Sequence, residues 1–489
     1  MRALLVCLSL IALFPPLAPE TADILPTDGR TCAQHPATVA PLASSAAWTA
    51  EGDQMDAWFA FSISTAGDVN GDGYDDVIVG AFRYDNGQTD EGRAYLFYGS
   101  ASGLSTSAGW TAEGDQANAW FGFSVSTAGD VNGDGYADVI VGAVWHDNGQ
   151  TDEGRAYVYH GSSTGLTTGS ANWIAEGNQA DAQFGVSVST AGDVNKDGYS
   201  DVVVGAYLYD NGQTNEGRAY VYHGSSTGLT TGPANWTAEG DQADAQFGRC
   251  VSTAGDVNGD GYADVIIGAY RYDVGPFDVG RAYVYHGSPS GLSASADWTT
   301  ESDLPNARYA YSVSTAGDVN GDGYADVIVG AYGYASGRGR AFVYYGSPSG
   351  LSPSAGWMAE SDQADANYAI SVSTAGDVNG DGYADVIVGA RWYDFGATDT
   401  GRAFVYHGSE TGLLANPAWT ANTNQVDAQL GYAVATADDV NGDGYGDVIV
   451  GAYSYDNGQT DEGRAWVYHG SPTGLATPPS GVGQWFRYE

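Results

Sequence analysis

Hydrophobic and polar positions recur along this chain in a unit of four short segments. SVST, near the start of the unit, and GRAYVY, in its second half, alternate apolar and polar residues, whereas DVIVGA is one continuous run rich in β-branched residues. The fourth segment begins with tryptophan, as in WTAE at residues 110–113. Alternation predicts a half-buried β-strand, and a short continuous apolar run predicts a strand buried on both faces. Each unit is therefore predicted to contain four strands.

The unit occurs seven times, at intervals of 59 to 63 residues. Each copy opens with an aromatic or apolar residue followed by a small one, and these pairs are Phe59–Ala60, Phe121–Gly122, Phe184–Gly185, Phe247–Gly248, Tyr309–Ala310, Tyr368–Ala369 and Leu430–Gly431. An acidic nine-residue loop separates the first two predicted strands, and its copies span residues 68–76, 130–138, 193–201, 256–264, 318–326, 377–385 and 439–447. A fixed period predicts one repeat array rather than several unrelated domains.

Seven four-stranded units predict an all-β fold, a seven-bladed β-propeller that occupies residues 46–489. Radial repetition leaves few exposed sheet edges. A parallel β-helix would need shorter repeats, and a single four-stranded sheet is only marginally stable alone. A Trp-led segment precedes the first acidic loop at Trp48, so residues 46–51 are predicted to complete blade seven. Trp485 is the rival for that position.

The N-terminal residues 1–22 have the pattern of a secretory signal peptide, with Arg2 ahead of an apolar stretch. Residues 23–45 are rich in Pro, Thr and Ala and are predicted to be a leader or linker. No later segment has the roughly 18 apolar residues of a membrane-spanning helix. We therefore expect a secreted protein, extracellular or at the cell surface, without direct membrane insertion. Cys32 and Cys250 could pair in an oxidising compartment.

The acidic loop Asp-x-Asn-x-Asp-Gly-Tyr-x-Asp has the pattern of a calcium site. Side chains at positions 1, 3, 5 and 9 and the backbone carbonyl of position 7 would supply oxygen ligands, of which Ca²⁺ takes about six to eight, and Gly at position 6 allows the turn. The loop contains no Cys or His that would favour a softer metal. We therefore predict up to seven Ca²⁺ ions, one per blade. The predicted ligands, loop by loop, are Asp68, Asn70, Asp72, Tyr74 and Asp76; Asp130, Asn132, Asp134, Tyr136 and Asp138; Asp193, Asn195, Asp197, Tyr199 and Asp201; Asp256, Asn258, Asp260, Tyr262 and Asp264; Asp318, Asn320, Asp322, Tyr324 and Asp326; Asp377, Asn379, Asp381, Tyr383 and Asp385; and Asp439, Asn441, Asp443, Tyr445 and Asp447.

The formal charge of −43 narrows the choice of partners. It argues against binding to nucleic acid or to anionic membranes, since both would repel the chain. It favours bound cations, because seven Ca²⁺ would offset about a third of the negative charge. Lys196 stands at position 4 of the third loop, where the other copies have Gly. Its charge predicts that the third loop binds Ca²⁺ most weakly.

The Phe-Gly opening, the acidic loop and the Gly-Ala after the second strand resemble FG-GAP repeats over about residues 46–475. This resemblance implies the seven-bladed propeller at the N-terminus of integrin α chains, with Ca²⁺ bound by the loops on the lower face. It also implies adhesion or surface recognition, with a protein or glycan ligand. Two features differ from that family: the Pro of Gly-Ala-Pro is replaced, for example by Phe82, and all seven loops are complete, whereas integrin propellers keep only some.

Two other positions recur, and we interpret both as structural. The alternative for the arginines is a ring that binds a ligand, whereas a metal shared by the histidines is disfavoured because each histidine lies in a different blade. A Gly-Arg-Ala arginine opens the third strand of every unit, and a histidine ends that strand in five units. The arginine is expected to bond within its own blade. These arginines are Arg93, Arg155, Arg218, Arg281, Arg340, Arg402 and Arg464, and the histidines are His160, His223, His286, His407 and His469.

One sector of the upper face departs from the repeat. Connections alternate between the faces of a propeller, so the YDNGQTDEG and GDQADA stretches are expected above, opposite the acidic loops. That face is mostly acidic, but the sector of blades four to six carries Arg271, Arg308, Arg338 and Arg391. The hypothesis is that this sector binds an anionic or mixed-charge ligand.

No catalytic residue is predicted, because the repeated carboxylates are accounted for as metal ligands and no nucleophile elbow, His-Glu-x-x-His or phosphate-binding glycine loop occurs. The predicted function is that of a secreted calcium-binding propeller acting as a binding or adhesion module, with its ligand on the upper face. One alternative is a structural calcium-binding surface or matrix protein. Another is an extracellular hydrolase or lyase with its site at the axial funnel.

Overall fold

Seven four-stranded antiparallel sheets form the blades of a propeller in the computed structural model of the protein, which describes residues 46–275 and 277–476. The predicted all-β, seven-bladed fold is thereby confirmed. The predicted signal peptide, residues 1–22, and leader, residues 23–45, lie outside the described residues. Within each complete unit the chain passes from the inner strand to the outer strand in order.

The strands are numbered in chain order. The chain starts with β1 (Trp48–Glu51), and blade one follows with β2 (Ser62–Gly67), β3 (Asp76–Ala81), β4 (Arg93–Phe97) and β5 (Trp110–Glu113). Blade two contains β6 (Phe121–Gly129), β7 (Asp138–Ala143), β8 (Arg155–Tyr159) and β9 (Trp173–Glu176). Blade three contains β10 (Phe184–Gly192), β11 (Asp201–Ala206), β12 (Arg218–Tyr222) and β13 (Trp236–Glu239). Blade four contains β14 (Phe247–Gly255), β15 (Asp264–Ala269), a small hairpin of β16 (Asp273–Val274) and β17 (Phe277–Asp278), then β18 (Arg281–Tyr285) and β19 (Trp298–Glu301).

The remaining blades repeat this plan. Blade five contains β20 (Tyr309–Gly317), β21 (Asp326–Ala331), the single turn α1 (Tyr334–Gly337), β22 (Arg340–Tyr344) and β23 (Trp357–Glu360). Blade six contains β24 (Tyr368–Gly376), β25 (Asp385–Ala390), β26 (Arg402–Tyr406) and β27 (Trp419–Asn422). Blade seven contains β28 (Ala433–Asp438), β29 (Asp447–Ala452) and β30 (Arg464–Tyr468). No helix in this described part of the chain is long and apolar enough to cross a membrane.

The second strand of each blade forms its core. All six residues of DVIVGA are buried in β3, and the same is true of the second strand of the other six blades. A short β-branched run suits this position because it packs against a neighbouring blade on each face of the sheet. The core is therefore divided among the interfaces between blades. This is why the continuous apolar run correctly predicted a strand that is buried on both faces.

The ring is closed by β1, which pairs antiparallel with β30 as the outer strand of blade seven. Trp48 lies opposite Val467, and Glu51 lies opposite Arg464. The predicted closure by residues 46–51 is thus confirmed, and its rival, Trp485, lies outside the described residues. Sheet pairing between the two ends of the repeat array joins the first unit to the last.

Tryptophans of the outer strands join each blade to the next. Trp48 packs edge-on against Phe97 of blade one, with ring centroids 4.8 Å apart, and its indole N–H donates to the Ser105 carbonyl at 2.9 Å. Trp110 makes the same pair of contacts with Tyr159 and Thr167 of blade two. An indole buries a large apolar area and needs a partner for its N–H, and both requirements are met at this position.

The Gly-Arg-Ala arginines are structural, as interpreted. In six blades this arginine pairs with the glutamate of the outer strand, as Arg93 does with Glu113. In blade six the outer strand has Asn422 opposite Arg402, and Arg402 donates to the Thr420 hydroxyl instead. The terminal histidines pack against the turn of the following blade: a side chain at Gly228 would meet the His160 ring.

Removing the Trp48 side chain is expected to destabilise the whole ring. Trp48 is 7 % exposed, and deletion of a buried aromatic side chain costs about 3 kcal/mol or more. Urea unfolding of Trp48→Ala should therefore show a free energy of unfolding lower by about that amount. Trp392→Ala is the control, because Trp392 is 38 % exposed and should change the value little. Equal loss in both variants would contradict the closing role of β1.

Candidate metal sites

The seven acidic loops lie on one face and are hydrogen-bonded into a closed ring. Each connects the inner strand to the second strand, and the backbone N–H of its position 8 donates to the position 1 carbonyl of the preceding loop. These donor and acceptor pairs are Ala137–Asp68, Ser200–Asp130, Ala263–Asp193, Ala325–Asp256, Ala384–Asp318, Gly446–Asp377 and, across the closure, Asp75–Asp439. Neighbouring loops are therefore joined through their backbones all the way around the ring.

Within a loop the side chains at positions 1, 3 and 5 organise the backbone. In the first copy Asp68 accepts the N–H groups of Gly71, at 2.6 Å, and of Gly73, at 2.8 Å. Asn70 accepts from the Asp72 N–H at 2.8 Å and donates to the Asp72 carboxylate at 3.0 Å. These bonds hold three of the four predicted ligand side chains of the loop in one compact turn.

Position 9 has a different role, because its carboxylate joins the loop to the third strand. Asp76 is fully buried, and its carboxylate accepts from the Val69 N–H at 3.1 Å and from the Gly99 N–H at 2.8 Å. Val69 belongs to the loop, whereas Gly99 follows β4. The same two bonds recur in every blade, for example from Val131 and Gly161 to Asp138.

The donor atoms of each loop are of the type that a calcium ion binds. Every predicted ligand is an oxygen, and a carboxylate offers about four acceptor positions, so each of Asp68, Asp72 and Asp76 keeps at least one after its backbone bonds. Among the described residues, no group of three or more His, Cys, Asp or Glu side chains is arranged to hold a metal ion. The carboxylates accept bonds from backbone N–H groups in this arrangement.

Burial raises the pKa of every position-9 carboxyl. The pKa of Asp76 rises to about 7, chiefly because the group is buried and further because Asp72 and Asp68 repel its charge, while the bonds from Gly99 and Val69 lower it. The pKa of Asp138 likewise rises to about 7, and that of Asp447 to about 8. Burial and, to a smaller extent, the two other acids of the loop thus disfavour the charged form of the buried carboxyl, and a bound cation would offset that repulsion.

Lys196 is directed away from the loop that contains it. Its ammonium lies 5.3 Å from the centroid of the Tyr262 ring, which belongs to the loop of blade four. Lys196 has a φ of 58°, a left-handed conformation that a residue with a side chain rarely adopts. At the corresponding positions the other six loops have Gly.

The closure between blades seven and one carries two acids that sequence reasoning missed. Asp75 stands where other loops have Ala, Ser or Gly, and Asp438 stands where the other six blades have Gly. Asp438 has a φ of 55°, and its charge, after burial, is the largest cause that raises the pKa of Asp75 to about 6. The Asp75 carboxylate also accepts from the Asp439 N–H at 3.0 Å. Both residues differ from the repeat in the sequence, and this difference was the available signal. Only closure of the ring, however, brings residues 75 and 438 together.

The opposite face holds the connections between blades, as expected. Gln54 of one connection exchanges two hydrogen bonds with the backbone of Asp85 in the upper loop of blade one, and the pair Gln116 and Asp147 does the same. This face therefore combines the YDNGQTDEG and GDQADA stretches.

The four arginines of the upper sector have different surroundings. Arg308 and Arg271 both pair with Asp278 of the hairpin. Arg391 lies over the Trp392 ring at 4.3 Å and donates to Asn367 at 3.2 Å. Arg338 is exposed and forms no ion pair with the described residues. The sector is thus neutralised in part by its own Asp278.

An arginine of an inner strand was also missed. Arg249 of β14 lies with its guanidinium 5.0 Å from the Tyr311 ring centroid and donates to the Tyr311 hydroxyl at 3.2 Å. Cys250, the next residue, donates from its thiol to the Val313 carbonyl at 3.7 Å and is not in a disulfide within the described residues. Its predicted partner, Cys32, lies outside them.

Removing one position-9 charge is expected to change the pH dependence of stability. Between pH 4 and pH 7 the folded metal-free protein keeps protons on these carboxyls that the unfolded chain has released, so their contribution to the free energy of unfolding falls as pH rises. The half-buried histidines that follow the third strands, whose pKa values are lowered by partial burial, oppose this trend. In the presence of a chelator, the free energy of unfolding should therefore fall between pH 5 and pH 8 by about 2 kcal/mol more in wild type than in Asp138→Asn.

Urea unfolding at the two pH values measures this difference. The contribution of the histidines to the pH dependence cancels, because both proteins contain the same histidines. Equal losses would mean that Asp138 is ionised in the folded protein at pH 5. Asp85→Asn, an exposed carboxylate of the upper face, is the matched control and should leave the difference between the two pH values unchanged.

Comparisons with known proteins agree with this architecture. A family model described as FG-GAP repeat matches residues 59–97, 121–159, 184–222, 247–285, 309–344, 368–406 and 430–468. Each match starts at the aromatic or apolar residue of the opening pair and ends with the third strand of the blade. The matched segments therefore contain all seven acidic loops.

The chain is also similar to integrin α chains. It is 31 % identical to integrin alpha-PS2 of Drosophila melanogaster over 261 residues, which is 51 % of this chain and 17 % of that protein. It is 32 % identical to integrin alpha-V of Gallus gallus over 227 residues, 45 % of this chain and 20 % of that protein. The chain thus aligns with about a fifth of the length of these relatives. A solved structure titled "Structure of Dos1 propeller" aligns with 81 % of this chain and 75 % of its own, at 11 % identity and a TM-score of 0.40.

Proposed function

This chain belongs to the FG-GAP repeat family, and from that premise we propose that it is a secreted, calcium-stabilised propeller that binds a protein partner. The similarity to integrin α chains favours a binding or adhesion module over an enzyme. Secretion is proposed from the signal-like residues 1–22. The observation that carries the proposal is the difference between the two faces. One face has seven nearly identical acidic loops, and the other has a variable sector that is partly cationic.

Calcium is proposed to bind at the acidic loops and to stiffen the ring. Side chains at positions 1, 3, 5 and 9 and the carbonyl at position 7 would hold the ion, as Asp68, Asn70, Asp72, Asp76 and Tyr74 would in blade one. The ion would supply positive charge where three carboxylates repel one another. Since the loops are bonded in a closed ring, each ion would stabilise two blades.

Calcium is expected to raise the melting temperature, because a ligand that binds only the folded state stabilises it. At tenfold excess over a dissociation constant of about 10⁻⁴–10⁻³ M, each site would contribute about 1.4 kcal/mol. Calorimetric titration should show up to seven ions. Asp134→Asn, at an exposed position 5, should remove one of them while keeping the melting temperature in chelator. A melting curve that is the same with calcium and with chelator would refute the proposal.

The partner is proposed to dock on the upper sector of blades four to six, with Arg338 and Arg391 at its centre. Exposed apolar side chains flank these arginines: Phe277 of the hairpin is 47 % exposed, and Trp392 and Phe395 of blade six are 38 % and 42 % exposed. The short upper loop of blade five lies between them, so both flanks remain accessible. Aromatic and arginine side chains are enriched in binding hot spots.

Charge favours one orientation of the partner. The upper loops of the other blades are acidic, with Asp85, Asp147, Asp210 and Asp456 exposed. A partner surface with carboxylates would be repelled there and attracted to Arg338 and Arg391. The proposed partner is therefore a protein with an acidic and apolar patch.

Binding should be lost when the sector is altered. Purified matrix and cell-surface proteins and a glycan array would be tested against wild type and the double variant Arg338→Glu/Trp392→Ala, with and without calcium. The variant should bind any protein partner at least tenfold more weakly. Thr89→Glu adds a charge to the upper loop of blade one and should bind as wild type. Unchanged binding by the double variant would exclude this sector, and calcium uptake without any partner would favour the structural alternative.

A further inference from the structure

Position 4 of every acidic loop lies against the next loop of the ring. In six loops it is Gly, and a side chain there would meet the ring of the position 7 tyrosine in the following blade. These pairs are Gly71–Tyr136, Gly133–Tyr199, Gly259–Tyr324, Gly321–Tyr383, Gly380–Tyr445 and Gly442–Tyr74. The geometry is thus the same around the ring, including the closure, and any side chain at position 4 projects into the neighbouring loop.

At position 4 of the third loop, Lys196 has a side chain that reaches the loop of the following blade. Its ammonium overlies the Tyr262 ring, with 5.3 Å to the ring centroid, and a side chain at Gly261 would collide with it. Gly261 and Tyr262 are positions 6 and 7 of the loop in blade four, residues 256–264. Lys196 is exposed and forms no ion pair within the described part of the chain.

We infer that Lys196 is a resident cation that weakens calcium binding in the loop of blade four, and not in its own loop of blade three. The inference rests on the calcium binding proposed above. A positive charge over the Tyr262 ring and against Gly261 opposes the approach of a second cation to this loop, because like charges repel. The carboxylates of blade three, from Asp193 to Asp201, keep most of the backbone bonds found in the other loops, whereas the Asn195 amide donates to the His223 ring at 3.2 Å.

This inference differs from the expectation drawn from the sequence. A lysine inside the third loop predicts that the third site is weakest, since sequence alone places the charge at its own loop. Because the side chain at position 4 projects into the next loop, the Lys196 ammonium lies at the loop of blade four. The ring would then hold six sites of similar strength and one weaker site.

Calcium titration at low ionic strength tests the inference. The weakest site of wild type should gain about fivefold in affinity in Lys196→Gly, which has the residue found in the other six loops, and should not gain in Lys196→Arg, which keeps the charge. The gain should shrink at 0.5 M NaCl, because exposed charges are screened. Affinities are compared rather than melting temperatures, since Gly also relieves the left-handed backbone.

A double-mutant cycle identifies the loop on which Lys196 acts. Asp260→Asn impairs the loop of blade four, and Asp197→Asn impairs that of blade three. The effect of Lys196→Gly should vanish in the Asp260→Asn background and persist in the Asp197→Asn background. The opposite pattern, or equal affinities for wild type and Lys196→Gly, would overturn the inference. Failure of wild type to take up calcium would instead refute the proposed function, and the inference with it.

Gly133→Lys is the matched control. It places a lysine over Tyr199, at the position in blade two that corresponds to Lys196. Calcium binding should then weaken in the loop of blade three, residues 193–201, while the loop of blade two keeps its affinity. Weakening of the second loop would contradict the direction assigned to position 4.

Discussion

A buried carboxylate at the end of each acidic loop ties the lower face of the propeller to the body of its blade. Asp76 and its six equivalents have no exposed surface, yet each accepts one backbone N–H from its loop and one from the end of the third strand. Burial without these bonds would be costly, because an unpaired carboxylate is poorly tolerated away from water. The two bonds explain why position 9 is aspartate: its short side chain reaches both amides.

The same constraint accounts for the uniformity of the lower face. Each loop is bonded internally, to its own blade and to the preceding loop, so nearly every residue of the motif has a partner. Each loop thus bonds to residues of two blades. The upper face also has bonds between blades, such as those that join Gln116 to Asp147, but its loops differ in sequence and charge, most of all in blades four to six. A surface on which repeats may diverge without loss of the fold is one on which recognition can be built.

A ring made from one chain needs a closing contact, because the two ends of the repeat array must meet. Here β1 supplies the missing outer strand, and Trp48 carries the inter-blade contact across to blade one. The same interface contains Asp75 and Asp438, two acids that repel each other, and Asp438 has a backbone conformation that the other blades assign to glycine. Nothing in the structure explains why glycine is replaced there. The closure is thus stabilised on the outside of the ring and strained on its lower face.

Much of this architecture was predictable from the sequence, because it depends on local patterns. Alternating and continuous apolar runs predicted four strands per unit, the period predicted seven blades, and the position of Trp48 ahead of the first loop predicted how the ring closes. The oxygen donors of the acidic loop were also evident from their spacing. The remaining features depend on neighbours that are distant along the chain and become visible only once the blades are packed together. The contact of Lys196 with Tyr262, the pairing of Arg308 with Asp278, and the meeting of Asp75 with Asp438 all follow from packing one blade against the next. A repeated sequence describes one blade well, but contacts between blades depend on how the repeats are rotated around the ring.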